Sequence, residues 1–299
     1  MLFKSVSDGI LLSCLMLGVA AGSIFSREAV QYGEPRELCT IKDDRINESS
    51  GLAASILYKD AFWTHNDSGD SARIFLFNKS GDTLAVVNIK GTRAVDWEDI
   101  ASFKRGTENY ILIADTGDNG RKREHCLLYL VREPAGIDTT AKEALTLEVE
   151  PSLTIRFSYE DGPHDCEAVA VDPAGSTIYL VSKELGEGKI YSMSIPSEGS
   201  KEPGIARAIA TDKIVFVNAM DISPDGMRSV VLTYLDAYEF ARGEGETWAQ
   251  AFSHEPRSIK MPVRRQGESI CYGADGKTLY LSSEGRSQPF WEVPVIDKR

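Results

Sequence analysis

The chain has 299 residues, 42% hydrophobic and 26% charged, with a formal net charge of −12 and a pI near 4.9. The composition is that of an ordinary globular protein. The negative balance excludes nucleic acid and anionic membrane surfaces as electrostatic partners.

Lys4 precedes an apolar stretch from Gly9 to Phe25, which closes on Gly18-Val19-Ala20-Ala21-Gly22-Ser23. One basic residue, a short apolar core and small residues at its end describe a secretory signal over 1–26. Residues 27–299 are then the mature domain, exported to the periplasm, the cell surface or the medium. An uncleaved anchor is the alternative, because the run sits at the short limit for a membrane span; Cys14 after Leu12-Ser13 only weakly resembles a lipoprotein site. Four cysteines remain: Cys39, Cys126, Cys166 and Cys271. They permit disulfides or separate buried thiols, and without a Cys-x-x-Cys pair they indicate neither a zinc nor a redox site.

Residues 37–41 form a short strand candidate. It stands ahead of a pattern that recurs five times, a polar or acidic residue opening a short apolar strand: Ser50-Gly51-Leu52-Ala53, Glu98-Asp99-Ile100-Ala101, Glu167-Ala168-Val169-Ala170, Asn218-Ala219-Met220-Asp221 and Glu268-Ser269-Ile270-Cys271. The leading residues lie 48, 69, 51 and 50 positions apart. Each first strand runs into a turn such as Ser223-Pro224-Asp225-Gly226 or Gly273-Ala274-Asp275-Gly276, where Gly supplies positive φ. A second strand follows, for example Tyr110–Ala114 or Ile178–Val181, then a third such as Arg73–Phe77, Lys189–Met193 or the weaker 247–252. Outer strands at 84–87 and 153–157 complete the units, and the longer second unit carries a polar insertion around 138–143.

Strand-like units repeating at this length predict an all-β fold, a single β-propeller of five four-stranded blades closed by the N-terminal strand. Six blades are the alternative if the long second unit hides one. A β-sandwich leaves the repeated motif unexplained.

In a propeller, the starts of the inner strands meet the ends of the second strands around one mouth. The ring there is Ser50, Glu98, Glu167, Asn218 and Glu268, preceded two residues earlier by Glu48, Asp96, Asp165, Phe216 and Gln266. Three converging glutamates raise each other's pKa or take up a cation. An all-oxygen donor set suits a calcium ion, Ca2+, over zinc, with Glu98, Glu167, Asn218 and Glu268 as its ligands. The competing reading is a structural lock by Arg93, Arg264, Arg265 or Arg286. His65, in His65-Asn66-Asp67-Ser68-Gly69-Asp70, is the first candidate for proton transfer, Asp115 the second base candidate, and His164 the reserve histidine. The tryptophans read as core.

Glu48-Ser49-Ser50-Gly51-Leu52, His65–Asp70, Asp96-Trp97-Glu98-Asp99-Ile100-Ala101 and Ala114–Asn119, with Asp221–Gly226 and Gln266–Ile270, resemble a family of exported bacterial propeller proteins without an assigned activity. More distantly the chain is similar to calcium-dependent propeller hydrolases of the phytase-like and lactonase/arylesterase-like groups. That distant likeness implies a site location and no catalytic residue. The expected function is a Ca2+-dependent hydrolase of an ester, lactone or phosphoester, with His65 or Asp115 as the base on water. The alternative is a non-catalytic propeller binding a small-molecule or extracellular ligand at the same face. A monomer is expected, with no membrane contact beyond the N-terminal segment.

Overall fold

Runs of Val, Ile, Leu, Phe and Tyr become strands throughout the computed structural model, which describes residues 30–173, 176–197 and 202–296. The signal segment expected at 1–26 lies outside the described residues. In chain order, β1 (Arg36–Thr40) is followed by an antiparallel meander of β2 (Ser49–Ala54), β3 (Ala61–Asn66), β4 (Arg73–Asn78) and β5 (Thr83–Ile89). Next come β6 (Trp97–Arg105), β7 (Glu108–Asp115) and β8 (Cys126–Arg132), then β9 (Leu145–Val149) and β10 (Leu153–Tyr159). The third meander is β11 (Cys166–Asp172), β12 (Thr177–Ser182), β13 (Gly188–Ser194) and β14 (Gly204–Asp212). The fourth is β15 (Val217–Ile222), β16 (Arg228–Thr233), β17 (Ala237–Ala241) and β18 (Arg257–Ile259). Last come β19 (Ser269–Tyr272), β20 (Leu279–Ser282) and β21 (Pro289–Val293).

The strand expected near 37–41 is β1, and it pairs antiparallel with β21, so the last meander takes its fourth strand from the front of the chain. The long second segment spends its extra residues on β9, which joins β5 in parallel while β10 returns to β8. A parallel contact between β10 and β14 fuses the second and third meanders, giving four sheets in all. One expectation fails. Residues 247–252 are not a strand; α1 (Trp248–Ala251) takes their place, and the third strand of that meander is β17. Thr247 and Gln250 form a reciprocal capping box there, and Trp248 and Ala251, three apart, share the buried side.

β2, β6, β11, β15 and β19 are the inner strands, each packed against the next and β19 against β2. Apolar side chains fill the gaps between meanders. Trp63, Trp97, Ile100 and Ile113 form one such cluster, and Phe62, Phe77 and Phe290 belong to another. Cys39, Cys126, Cys166 and Cys271 are separate free thiols. No helix of the described residues is long and apolar enough to cross a membrane.

An inner strand has one edge in its sheet and the other toward the axis, where its N–H groups have no ladder partner. Two carboxylates take up several of them. Asp99 Oδ2 accepts from Val169 N at 2.9 Å and Met220 N at 3.1 Å, while its Oδ1 accepts from Ile100 N at 2.9 Å. Asp221 accepts from Ile222 N and Tyr272 N, each at 2.8 Å. Asp99 thereby ties β6 to β11 and β15, and Asp221 ties β15 to β19.

Asp99→Ala strands three buried donors at a cost of about 1–3 kcal/mol each, so a loss of at least about 3 kcal/mol is expected in urea unfolding. Asp275→Ala removes a carboxylate that caps an exposed turn and should cost under about 1 kcal/mol. Equal losses in the two variants would show that the axial carboxylate carries no special share of the stability.

Candidate metal centre

The repeated motif corresponds to a local irregularity. The pairing of inner strand to second strand shifts between Ser49 and Gly51, Trp97 and Asp99, Cys166 and Ala168, and Val217 and Ala219. Ser50, Glu98, Glu167 and Asn218 are the extra residues of four successive bulges. A bulged residue leaves the regular alternation and its side chain is re-aimed. Glu268, just ahead of β19, completes the ring without a shift. Cross-ring bonds hold it: Ser50 Oγ donates to Glu98 O at 3.0 Å, and Asn218 Nδ2 to Gly267 O at 3.1 Å.

Carboxylates crowd one side of this ring. Asp67, Asp96 and Glu98 bring one oxygen each within 4.8 Å of one another, and so do Glu98, Asp165 and Glu167. Glu98 belongs to both groups. Burial, then Glu167, Asp67, Asp96 and Asp165, push its pKa well above the usual carboxylate range. Asp96 rises to about 6 through burial and its neighbours Asp67 and Asp165. Glu167 rises to about 7, again chiefly through burial, with Lys183 pulling the other way. Glu268 rises to about 8 through burial, Glu284 and Glu167. Gly117 is part of this packing: a Cβ there would lie 2.0 Å from Glu98 Oε1 and 2.5 Å from Asp96 Oδ2. Only a residue without a side chain lets the loop after β7 close over the cluster.

These groups could hold a metal ion. Three oxygens within 4.8 Å of one another surround a point roughly 2.8 Å or less from each, close to the Ca2+–oxygen range of about 2.3–2.6 Å. The donors are all hard oxygens, with no thiol or imidazole among them. Of the expected ligands, Glu98 and Glu167 come together, while Glu268 stands outside both carboxylate groups. Asn218 Oδ1 is buried with no hydrogen-bond partner. Asp67, Asp96 and Asp165 take the places beside Glu98 and Glu167; their signal in the sequence was position, two residues before the ring or just past the end of β3.

The cation in direct contact is Lys183, not one of the arginines expected for it, while Arg123 and Arg121 act at longer range on Asp96 and Asp165. Lys183 Nζ lies 3.0 Å from Glu167 Oε1 and donates to Tyr234 Oη at 3.2 Å, and Glu167 keeps it protonated despite burial. Arg264 turns instead to the carbonyls of Pro262 and Thr233. Neither expected base is free in the mouth. His65 is fully buried, edge-on to Trp97 at 5.7 Å, with Nδ1 at Asn66 O and Nε2 unpartnered against Gly51; burial pushes its pKa down. Asp115 is fully buried and paired with Arg123 at 2.8 Å. His164 is held by Asp161 at 3.0 Å and Tyr191 Oη at 2.8 Å.

No family model and no curated protein matches the chain. Solved structures of similar shape include the PQQ-bound form of an aldose sugar dehydrogenase from Streptomyces coelicolor, 12% identical, with a TM-score of 0.47 over 90% of this chain and 100% of that one. A gluconolactonase from Xanthomonas campestris is 13% identical, with a TM-score of 0.46 over 89% of this chain and 91% of that one.

The raised carboxylates set a pH dependence for metal-stripped protein. Their folded pKa values, about 7 for Glu167 and about 8 for Glu268, exceed those of the unfolded chain, so the folded state binds more protons in that range. Stability then rises as pH falls. Melting temperature should increase from about pH 8.5 to about pH 7.5, a range above the titration of ordinary histidine, and Glu167→Gln with Glu268→Gln should flatten the slope. A melting temperature that falls over that interval would contradict the assigned directions.

Proposed function

We propose that residues 27–299 form one five-bladed propeller, exported behind the signal at 1–26, that holds a divalent cation at one mouth and hydrolyses an ester, lactone or phosphoester there. The four-strand pairing of each meander and the closed sequence of inner strands support five blades over six. The observation that carries the functional reading is Glu98, whose carboxylate is shared by two three-carboxylate groups with Lys183 as the cation in direct contact with Glu167. A second positive charge is the direct remedy for that crowding.

Glu98 would be the central ligand, with Glu167 and Asp165 beside it; calcium fits the oxygen donors best. Bound there, the cation supplies Lewis-acid polarisation of the substrate oxygen. Asp96, half-buried beside Glu98, is the group suited to moving a proton to or from water, in place of His65 and Asp115. Lys183 holds Glu167 in position and presents a positive charge toward Tyr234. Non-catalytic ligand binding is the second reading, favoured by the enclosure of both expected bases.

Metal analysis of purified protein, with turnover of an ester, lactone and phosphoester panel before and after chelation, tests this. Bound calcium near one equivalent, lost in Glu98→Gln, is expected, with activity reduced on the order of a hundredfold or more by chelation or by that variant. Activity on the panel indifferent to both would remove the metal role. Bound metal without turnover would favour the binding reading.

A further inference from the structure

Four residues beyond each member of the acidic ring, the inner strands present a second ring: Ala54, Ser102, Val171, Ile222 and Tyr272. All five line a cavity of about 340 Å³ together with Asp221. Four residues of strand span about 13 Å, so this cavity lies at the far end of the axis from Glu98. Asp99, fully buried, sits between the two ends. The volume is in the range of small-ligand sites, about 300–1,000 Å³.

The walls are largely apolar, and their polar groups are mostly spoken for. Ser102 Oγ donates to Ala54 O at 2.5 Å, Ser55 Oγ to Glu133 Oε1 at 2.6 Å, and Tyr272 Oη to Glu239 Oε1 at 3.0 Å. Asp221 is different. Each of its oxygens accepts one backbone N–H and keeps a lone pair. Among the described residues no Lys, Arg or His pairs with it; Lys104, the other charged group on the wall, is exposed. Asp99, another buried carboxyl group, is close enough for Asp221 to help raise its pKa. Burial moves Asp221 itself to about 7. A carboxylate without a cation, facing a cavity with apolar walls, lacks one defined thing: a positive donor small enough to enter.

We propose that this end of the axis is a second ligand site, separate from the acidic centre, which takes a small primary ammonium carried on an apolar body. The ammonium bonds to Asp221 and the apolar body fills the space between Ala54, Val171 and Ile222. No covalent step is involved.

Calorimetric titration of the full chain with n-hexylammonium and with hexan-1-ol tests the site. Saturable binding of one hexylammonium is expected, weakened about tenfold or more for hexan-1-ol or in Asp221→Asn, because the charge-assisted bond is lost. Ala54→Phe, which fills the cavity and keeps the carboxylate, should abolish binding, and Glu98→Gln should leave it intact. Because Asp221 also holds two backbone amides, Ala54→Phe and the alcohol comparison decide the matter if Asp221→Asn does not fold. Absence of saturable hexylammonium binding, equal binding of the alcohol, binding that survives Ala54→Phe, or loss only in Glu98→Gln would each overturn the assignment.

Discussion

Five inner strands that crowd one axis cannot all find hydrogen-bond partners for the edge they turn inward, and the way this chain meets that requirement sets much of its chemistry. Backbone amides in such a place are costly when left alone. The chain answers with anions: Asp99 collects three amides from three strands, and Asp221 collects two. Each carboxylate is then an acceptor whose charge is poorly solvated, and burial drives both pKa values upward. Carboxyl groups are therefore built into the axis before any ligand is considered. The acidic mouth adds to a set that the strand edges already demand.

Bulges turn that architecture into a site. An unbroken strand would alternate its side chains strictly, and only every second residue could face the axis. An extra residue at Ser50, Glu98, Glu167 and Asn218 breaks the alternation at the same rung of four inner strands, gathering polar side chains above a wall of small and apolar ones. Gly117 and Gly51 then allow close approach. A Cβ on Gly51 would lie 2.7 Å from His65 Nε2 and 2.8 Å from Ile100 N, so the seam between first and second meanders depends on its absence.

Much of this was legible in the sequence because it repeats. The leading residues of the five motifs are the ring, and the strand from residues near 37–41 does close the last meander. What was not legible depended on contacts between segments distant in sequence. The position of His65 at the end of its strand suggested exposure, yet Trp97, from the next unit, covers it. Asp115 lies at an equivalent strand end, and Arg123 from its own loop neutralises it. Residues 247–252 carry enough aromatic character for a strand, but the Thr247–Gln250 cap favours a helical turn. Lys183 was hidden for a different reason: nothing in Ser182-Lys183-Glu184 says that the lysine reaches Glu167 while its neighbour Glu184 pairs with Arg121.

The two ends of the axis also differ in how their charge is balanced. At the acidic mouth, several carboxylates outnumber Lys183 and the more distant Arg123 and Arg121, and they are close enough to share a single multivalent cation. At the other end a single carboxylate faces apolar walls, where a strongly hydrated metal ion would find too few oxygens to replace its water. An ammonium needs fewer: one anionic acceptor and an apolar surface for its carbon chain satisfy it. With Asp99 sealed between them, the two proposed sites would select different cations, one by the number of oxygens and the other by apolar contact.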